Sequence, residues 1–383
     1  MDPIVILGSG LAGYSLLREI RKRDAELPVT VITSDDGAAY AKPNLSNALA
    51  AGKSAAQLAS QGAAQVAEAQ KATVLAHTRV TAIDPVAKLL ETDQGPVAYG
   101  RLALALGADP FPHGLEGDAA GDVLTVNDLA DYARFRRALE GKKRVTVIGG
   151  GLIGCEFAND LAGTGHAVDV VHLATWPLER LIPETVGRAL DSALAERGVT
   201  WHFGVTGKSA TRTETGILLV LSDGSAIETD VVLSAIGLRS RTGLAAQAGI
   251  AVNRGIVTDS FLATNVPGIH ALGDCAEVRG LVLPFVQPLL IQARALAATL
   301  TGTPTEVVYP PMPVVVKTPA CPLAVLPPPL GMAGAWSIAG EGRDLAARFE
   351  SPEGHLLGFA LSGTRTPERT NLAKIVAEAT DPA

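Results

Sequence analysis

Two glycine clusters carry the densest chemistry in this chain: GSGLAG from Gly8 to Gly13 and GGGLIG from Gly149 to Gly154. Each follows an apolar, β-rich run (Ile4-Val5-Ile6-Leu7 and Val145-Thr146-Val147-Ile148) and opens a helix-forming stretch. A GxGxxG in that context binds dinucleotides. The first glycine permits the sharp turn, the second lets backbone approach a pyrophosphate, and the third lets helix and strand pack closely. The phosphates then sit on the free N–H groups of the helix N-terminus. Gly8, Ser9, Gly10, Leu11, Ala12 and Gly13 form the first candidate cradle; Gly149, Gly151, Leu152, Ile153 and Gly154 form the second. Two dinucleotides on one chain imply a redox relay, with a tightly held flavin (FAD) at one turn and an exchangeable nicotinamide, NADH or NADPH, at the other.

A ribose needs a partner at the end of the next strand. After the first turn, Val29 to Thr33 reads as that strand and is followed by Ser34, Asp35 and Asp36. A carboxylate there can bind both ribose hydroxyls; Asp35, beside Ser34, is the expected reader, with Asp36 close behind. After the second turn the strand Val168 to Val171 runs into His172, Leu173 and Ala174, with neither the usual carboxylate nor an arginine for a 2′-phosphate. This leans towards NADH and leaves NADPH possible. His166, His172, His202 and His270 lie in or beside strand-like runs, show no metal-ligand spacing, and read as structural residues; no metal is expected.

Composition excludes several classes. Against 32 Lys+Arg stand 39 Asp+Glu, for a net charge of −7, and no basic block offers a nucleic-acid surface. No apolar run reaches the roughly 18–20 residues of a membrane span. The best stretch, Leu281 to Leu300, is broken by Pro284, Gln287, Pro288, Gln292 and Arg294. The opening residues lack the basic region of a signal peptide. Cys155, Cys275 and Cys321 form no close pair, which fits a reducing compartment and argues against a disulfide scaffold. A cytoplasmic protein without membrane insertion is expected.

These motifs require elements to hold them. Strand, glycine turn, helix, strand is the βαβ unit of a doubly wound sheet, and it occurs twice. Ala48 to Ala69 is Ala-rich and reads as surface helix. Pro310, Pro311 and Pro313 introduce a β-branched run, so a small α+β domain built on strands is expected from about residue 311. The expected fold class is α/β: two three-layer Rossmann-like dinucleotide-binding domains plus the small C-terminal domain. The expected boundaries are 1–110 with 240–310 for the discontinuous FAD domain, 111–239 for the NAD(P)H domain, and 311–383 for the C-terminal domain.

Further segments give the chain a family resemblance. LALALGA from Leu102 to Ala108, DVVLSAIG from Asp230 to Gly237 and TNVPGIHALGD from Thr264 to Asp274 resemble segments of the two-dinucleotide FAD/NAD(P)H oxidoreductases. Within that family the likeness is strongest to the bacterial rubredoxin reductases, and next to the flavorubredoxin reductases. Its carriers are YAKP at Tyr40–Pro43, GGGLIGCEFAN at Gly149–Asn159, GDCAE at Gly273–Glu277, LPFVQP at Leu283–Pro288 and VKTPACP at Val316–Pro322. The disulfide reductases of the family carry a cysteine pair, and its NADH peroxidases a single cysteine, soon after the first βαβ unit; this chain has none before Cys155.

The resemblance implies roles. Asp274 would bind the flavin's ribityl chain, and Lys42 would approach the flavin. Val80 would offer backbone to the adenine, and Val286 backbone to the isoalloxazine. Glu156 would orient the nicotinamide amide. Lys317 interrupts the apolar run Val314-Val315-Val316, so it should be paired or functional; by resemblance it reaches the flavin and favours the anionic reduced form. No acid or base catalyst is required. The implied activity is hydride transfer from NADH to FAD, then single electrons to rubredoxin as a transient partner, feeding an alkane hydroxylase. Flavorubredoxin (in nitric oxide reduction) or a ferredoxin is the alternative acceptor. A different class is a redox-inactive FAD/NAD-binding signalling protein. A monomer is expected, since no large dimerisation domain remains.

Overall fold

Four consecutive buried apolar residues, Ile4–Leu7, cannot alternate between a wet and a dry face, so they belong in a sheet covered on both sides. In the computed structural model, which describes residues 3–380, they form the central strand of a five-stranded sheet. Its order is Ile269–Ala271, Arg101–Leu104, Ile4–Leu7, Val29–Ile32, Thr73–Leu75, and every neighbouring pair is parallel. The helix Leu11–Arg23 returns across it with Leu16, Leu17 and Ile20 fully buried. Arg21, Lys22 and Arg23 fill its last turn, where cations oppose the negative end of the helix dipole. The helix Val286–Leu300 completes this core through Leu289, Ala293 and Leu296.

The chain divides into two compact units. The first comprises Met1–Lys42, Gln57–Asp109 and Leu238–Tyr309; the second comprises Pro43–Ala56, Pro110–Gly237 and Pro310–Ala383. The second unit holds a four-stranded parallel sheet, ordered Val199–Phe203, Ala167–His172, Arg144–Ile148, Val231–Ser234. A three-stranded antiparallel sheet adjoins it in sequence, Gly207–Arg212, Ile217–Leu221 and Ala226–Thr229. The middle strand alternates buried and half-buried residues, the signature of a sheet with one dry face.

The C-terminal part is a five-stranded antiparallel sheet, ordered Val314–Val316, Leu323–Leu326, Leu356–Ser362, Asp344–Glu350, Ala335–Glu341. Its central strand is buried along its whole length, and the helix Arg369–Thr380 packs Leu372 and Val376 into the same core. Strands with a helix at the end of the chain match the α+β expectation.

The Ala-rich stretch differs from its expectation. Instead of one helix, residues 48–69 form turns, the short helix Ala55–Leu58, the strand Ala59–Gln61 and the helix Ala63–Ala69. Gly52 turns the chain with φ +65°, and the strand is drawn to Ala39–Tyr40 by pairing and by Ser60 Oγ donating to the Ala39 carbonyl. Tertiary pairing overrides the helix propensity of alanine here.

Candidate functional site

Each glycine turn sits where its parallel sheet releases an inner strand into a helix. In the first unit Gly8 has φ +119°, a conformation glycine adopts freely, and its N–H donates to the Ile32 carbonyl at 2.8 Å. A Cβ on Gly13 would lie 1.9 Å from the Gly8 carbonyl oxygen, so this glycine is required by packing. Gly10 is the opposite case: a Cβ there would meet nothing within 4 Å. It is the N-cap of Leu11–Arg23, and no side chain caps that helix. The open face and uncapped N–H groups are what an anionic pyrophosphate needs. Ala12 is buried and faces inward, such that a Cβ on Gly273 would lie 2.7 Å from the Ala12 Cβ.

The second unit repeats this. Gly149 has φ +110°, a Cβ on Gly154 would lie 1.8 Å from the Gly149 carbonyl oxygen, and Gly151 is open and uncapped at the head of Leu152–Gly163. Leu152 is half-buried and Ile153 exposed beside it.

The strand ends differ. In the first unit Ser9 Oγ donates to Thr33 Oγ1 at 2.9 Å, and Thr33 Oγ1 donates to Asp35 Oδ1 at 2.6 Å. The Gly37 N–H reaches the same oxygen at 2.9 Å. Asp35 is exposed, with Ser34 exposed beside it. One carboxylate oxygen is thereby fixed, which leaves Oδ2 as the acceptor turned to other use.

Asp274 lies in the short turn Gly273–Cys275 that follows the strand Ile269–Ala271. Among the described residues no hydrogen-bond donor reaches its carboxylate, and Lys42 Nζ stands 3.9 Å away. Burial pushes its carboxyl above the usual range, and Lys42 opposes that shift. A half-buried carboxylate with spare acceptor capacity fits a hydroxylated chain. The first unit therefore fits a dinucleotide with phosphates at Gly10 and hydroxyl groups at Asp35 and Asp274. Val286 opens the uncapped helix Val286–Leu300 and is 37 % exposed, while Val80 begins the strand Val80–Asp84 beside a bulge.

The second unit brings two expected residues into direct contact. The helix Leu152–Gly163 carries Glu156, Asn159 and Asp160 at i, i+3 and i+4, all buried. Glu156 is 4 % exposed; its Oε1 accepts the Lys317 backbone N–H at 3.0 Å and its Oε2 lies 2.8 Å from Lys317 Nζ. Ser46 Oγ donates to Glu156 Oε2 and accepts from Lys317 Nζ at 3.0 Å, and Lys317 Nζ also donates to the Pro43 carbonyl. The charge interrupting the apolar run is thus paired, and its ammonium protons are engaged within the protein. Asn159 Oδ1 accepts the Ala320 N–H at 3.1 Å, and Asp160 accepts the Leu49 and Ala50 N–H groups at 2.9 and 3.0 Å. Burial raises the Asp160 carboxyl, and these two N–H groups hold the rise down.

Sequence reasoning missed Ser46, Asn159 and Asp160. The available signal was polar side chains at i, i+3 and i+4 of Glu156 on one face of a helix whose other residues are apolar or small. The three cysteines are free and buried, and burial raises every thiol, with Cys275 and Cys321 pushed up to about 11. They stay protonated at neutral pH and are poor nucleophiles. No cluster among the described residues could hold a metal ion, and no helix among them is long and apolar enough to cross a membrane.

Two uncapped glycine turns, each heading a parallel sheet, with spare carboxylates and no activated thiol, define a two-dinucleotide flavin and nicotinamide fold. The chain belongs to the pyridine nucleotide-disulphide oxidoreductase family, whose model matches residues 2–295; a rubredoxin binding C-terminal domain matches residues 306–376. It is 49% identical over 375 residues to the rubredoxin-NAD(+) reductase of Alcanivorax borkumensis, covering 98% of each chain. It is 40% identical to the nitric oxide reductase FlRd-NAD(+) reductase of Aeromonas salmonicida, covering 94% of this chain and 92% of that one. Among solved structures, a ferredoxin reductase from Rhodopseudomonas palustris superimposes with a TM-score of 0.88 at 27% identity, covering 97% of this chain and 93% of that one.

Proposed function

We propose that this protein is an FAD-dependent NADH:rubredoxin oxidoreductase: hydride passes from NADH to FAD, and electrons then leave singly to rubredoxin. The observation that carries the reading is the C-terminal five-stranded sheet, which falls in the segment matching the rubredoxin-binding family, on a chain with two open glycine turns. Bound flavin supplies the chemistry that no side chain here can, accepting a hydride and returning two electrons one at a time. The protein's tasks are positional. Gly10 and the first turn of Leu11–Arg23 would hold the flavin nucleotide's phosphates, Asp35 its ribose and Asp274 its ribityl hydroxyls, with Lys42 beside Asp274. Val80 and Val286 would add backbone contacts, at the adenine and the ring. Gly151 and the first turn of Leu152–Gly163 would hold the nicotinamide nucleotide. Glu156, fixed by Ser46 and Lys317, would meet the nicotinamide end with its geometry set beforehand.

A cytoplasmic setting and supply of electrons to an alkane hydroxylase belong to the same proposal. Flavorubredoxin is the second acceptor to test, favoured by the 40% identity to a flavorubredoxin reductase. Steady-state NADH oxidation with equal concentrations of rubredoxin, flavorubredoxin and ferredoxin separates them. Rubredoxin should give at least about tenfold higher kcat/KM than either rival, a difference of roughly 1.4 kcal/mol in transition-state binding. A higher value for flavorubredoxin would move the protein to that pathway and overturn the acceptor assignment.

A further inference from the structure

The helix Val286–Leu300 buries Leu289, Ala293 and Leu296 in the core of the first unit, and one amide is buried with them. Gln292 is 2 % exposed, a costly place for an amide unless its hydrogen bonds are made. Its Oε1 accepts the Gly273 N–H at 2.6 Å, and its Nε2 donates to the Tyr309 hydroxyl at 2.7 Å. A backbone N–H can only donate, so the amide has a single orientation. Burial raises the pKa of the Tyr309 hydroxyl, and the bond from Gln292 opposes that rise, as a donor should.

The bond falls on the residue just before Asp274. Gly273 is buried with φ +78°, and a Cβ on it would lie 2.7 Å from the Ala12 Cβ and 3.8 Å from Leu289 Cδ1. It therefore packs between the head of Leu11–Arg23 and the helix that carries Gln292. After it, the Asp274 backbone carbonyl accepts Ser240 Oγ at 2.7 Å, and Cys275 Sγ faces the Leu104 and Leu272 carbonyls at 3.4 and 3.3 Å. The turn is thus held at each of its three residues in succession. The Asp274 carboxylate, with Lys42 Nζ 3.9 Å away, takes no part in holding it. An apolar side chain at position 292 would suit this helix face, but it would leave the Gly273 N–H buried and unpaired. The amide is spent on the main chain that carries the carboxylate.

We infer that Gln292 is a positioning residue for Asp274: its amide fixes the turn from which that carboxylate meets the flavin nucleotide, and so sets how tightly the flavin is held. This rests on the reading that the first unit binds FAD through Asp274. The test measures the FAD dissociation constant of the purified holoprotein from the fluorescence of flavin released on dilution. It compares the wild type with Gln292→Met, each with Asp274 intact and with Asp274→Ala. Gln292→Met keeps the length of the side chain but makes neither bond, and should weaken FAD binding about tenfold, roughly 1.4 kcal/mol. Asp274→Ala should itself weaken FAD at least about tenfold. In that background Gln292→Met should cost less than about threefold, because no carboxylate is left to aim. Gln292→Asn falls one carbon short of Gly273 and should repeat the result, which keeps the test decisive if the methionine variant does not fold. Tyr309→Phe leaves the Gly273 bond in place and should weaken FAD less than about threefold. Equal weakening by the Gln292 substitutions in both backgrounds would mark a purely structural glutamine and overturn the inference. So would an FAD affinity that neither Gln292 substitution changes. If Asp274→Ala leaves FAD affinity unaltered, the underlying reading of Asp274 itself fails.

Discussion

Gly151→Val should leave a folded, yellow protein that retains FAD but has lost most of its affinity for NADH. The position has extended backbone geometry, φ −79° and ψ −170°, which valine adopts readily, and a Cβ there meets no protein atom within 4 Å. Any penalty therefore falls on a ligand that must approach the uncapped N–H groups of the helix. Losing one or two charge-assisted hydrogen bonds to a phosphate is worth about 3 kcal/mol, or roughly a hundredfold in KM. Gly10→Val, at the matching place in the first unit, should instead yield a colourless protein. Gly154→Ala behaves differently again, because its methyl group would press on the Gly149 carbonyl at 1.8 Å and destabilise the second unit itself. Flavin absorbance, melting temperature and NADH titration distinguish the three. Loss of flavin from Gly151→Val, with NADH binding intact, would reverse the assignment of the two turns.

The second large effect is at the buried ion pair. Glu156→Ala should destabilise the second unit by about 3 kcal/mol, because Lys317 keeps the Pro43 carbonyl and Ser46 but loses its ion-pair partner in a partly buried place, with Asp160 left as a more distant counter-charge. Lys317→Met alone leaves the Glu156 carboxylate buried and should also be unfavourable. The double variant, which removes both charges together, should be less destabilised than the sum of the two, with a coupling of at least about 1 kcal/mol. The chain's three tryptophans, Trp176, Trp201 and Trp336, all lie in the second unit, so their fluorescence during denaturant unfolding reports on that unit. Additive effects would mean that the Glu156–Lys317 contact contributes nothing to stability.

The parts legible in the sequence are the local ones. The glycine turns declare themselves because strand, turn and helix are contiguous, and the roles of Gly8, Gly10 and Gly13 follow from backbone geometry alone. Lys317 was conspicuous as a charge in a valine run, and Glu156 as a carboxylate at the start of a helix. That they hold each other was not legible, since 161 residues separate them. Ser46 stands 110 residues from Glu156, just ahead of the Ala-rich stretch, where no motif marks it. Its assignment to the second unit, with Asp160 gripping Leu49 and Ala50, depends on tertiary contacts that leave no periodic trace.

Anaerobic stopped-flow absorbance follows electron passage from NADH through FAD to rubredoxin step by step. The purified yellow protein would be mixed first with NADH and then with oxidised rubredoxin. Fast bleaching of the flavin band is expected, followed by its fast recovery as rubredoxin loses its iron–thiolate colour. Absence of bound flavin, or a flavin band that NADH leaves unchanged, would contradict it.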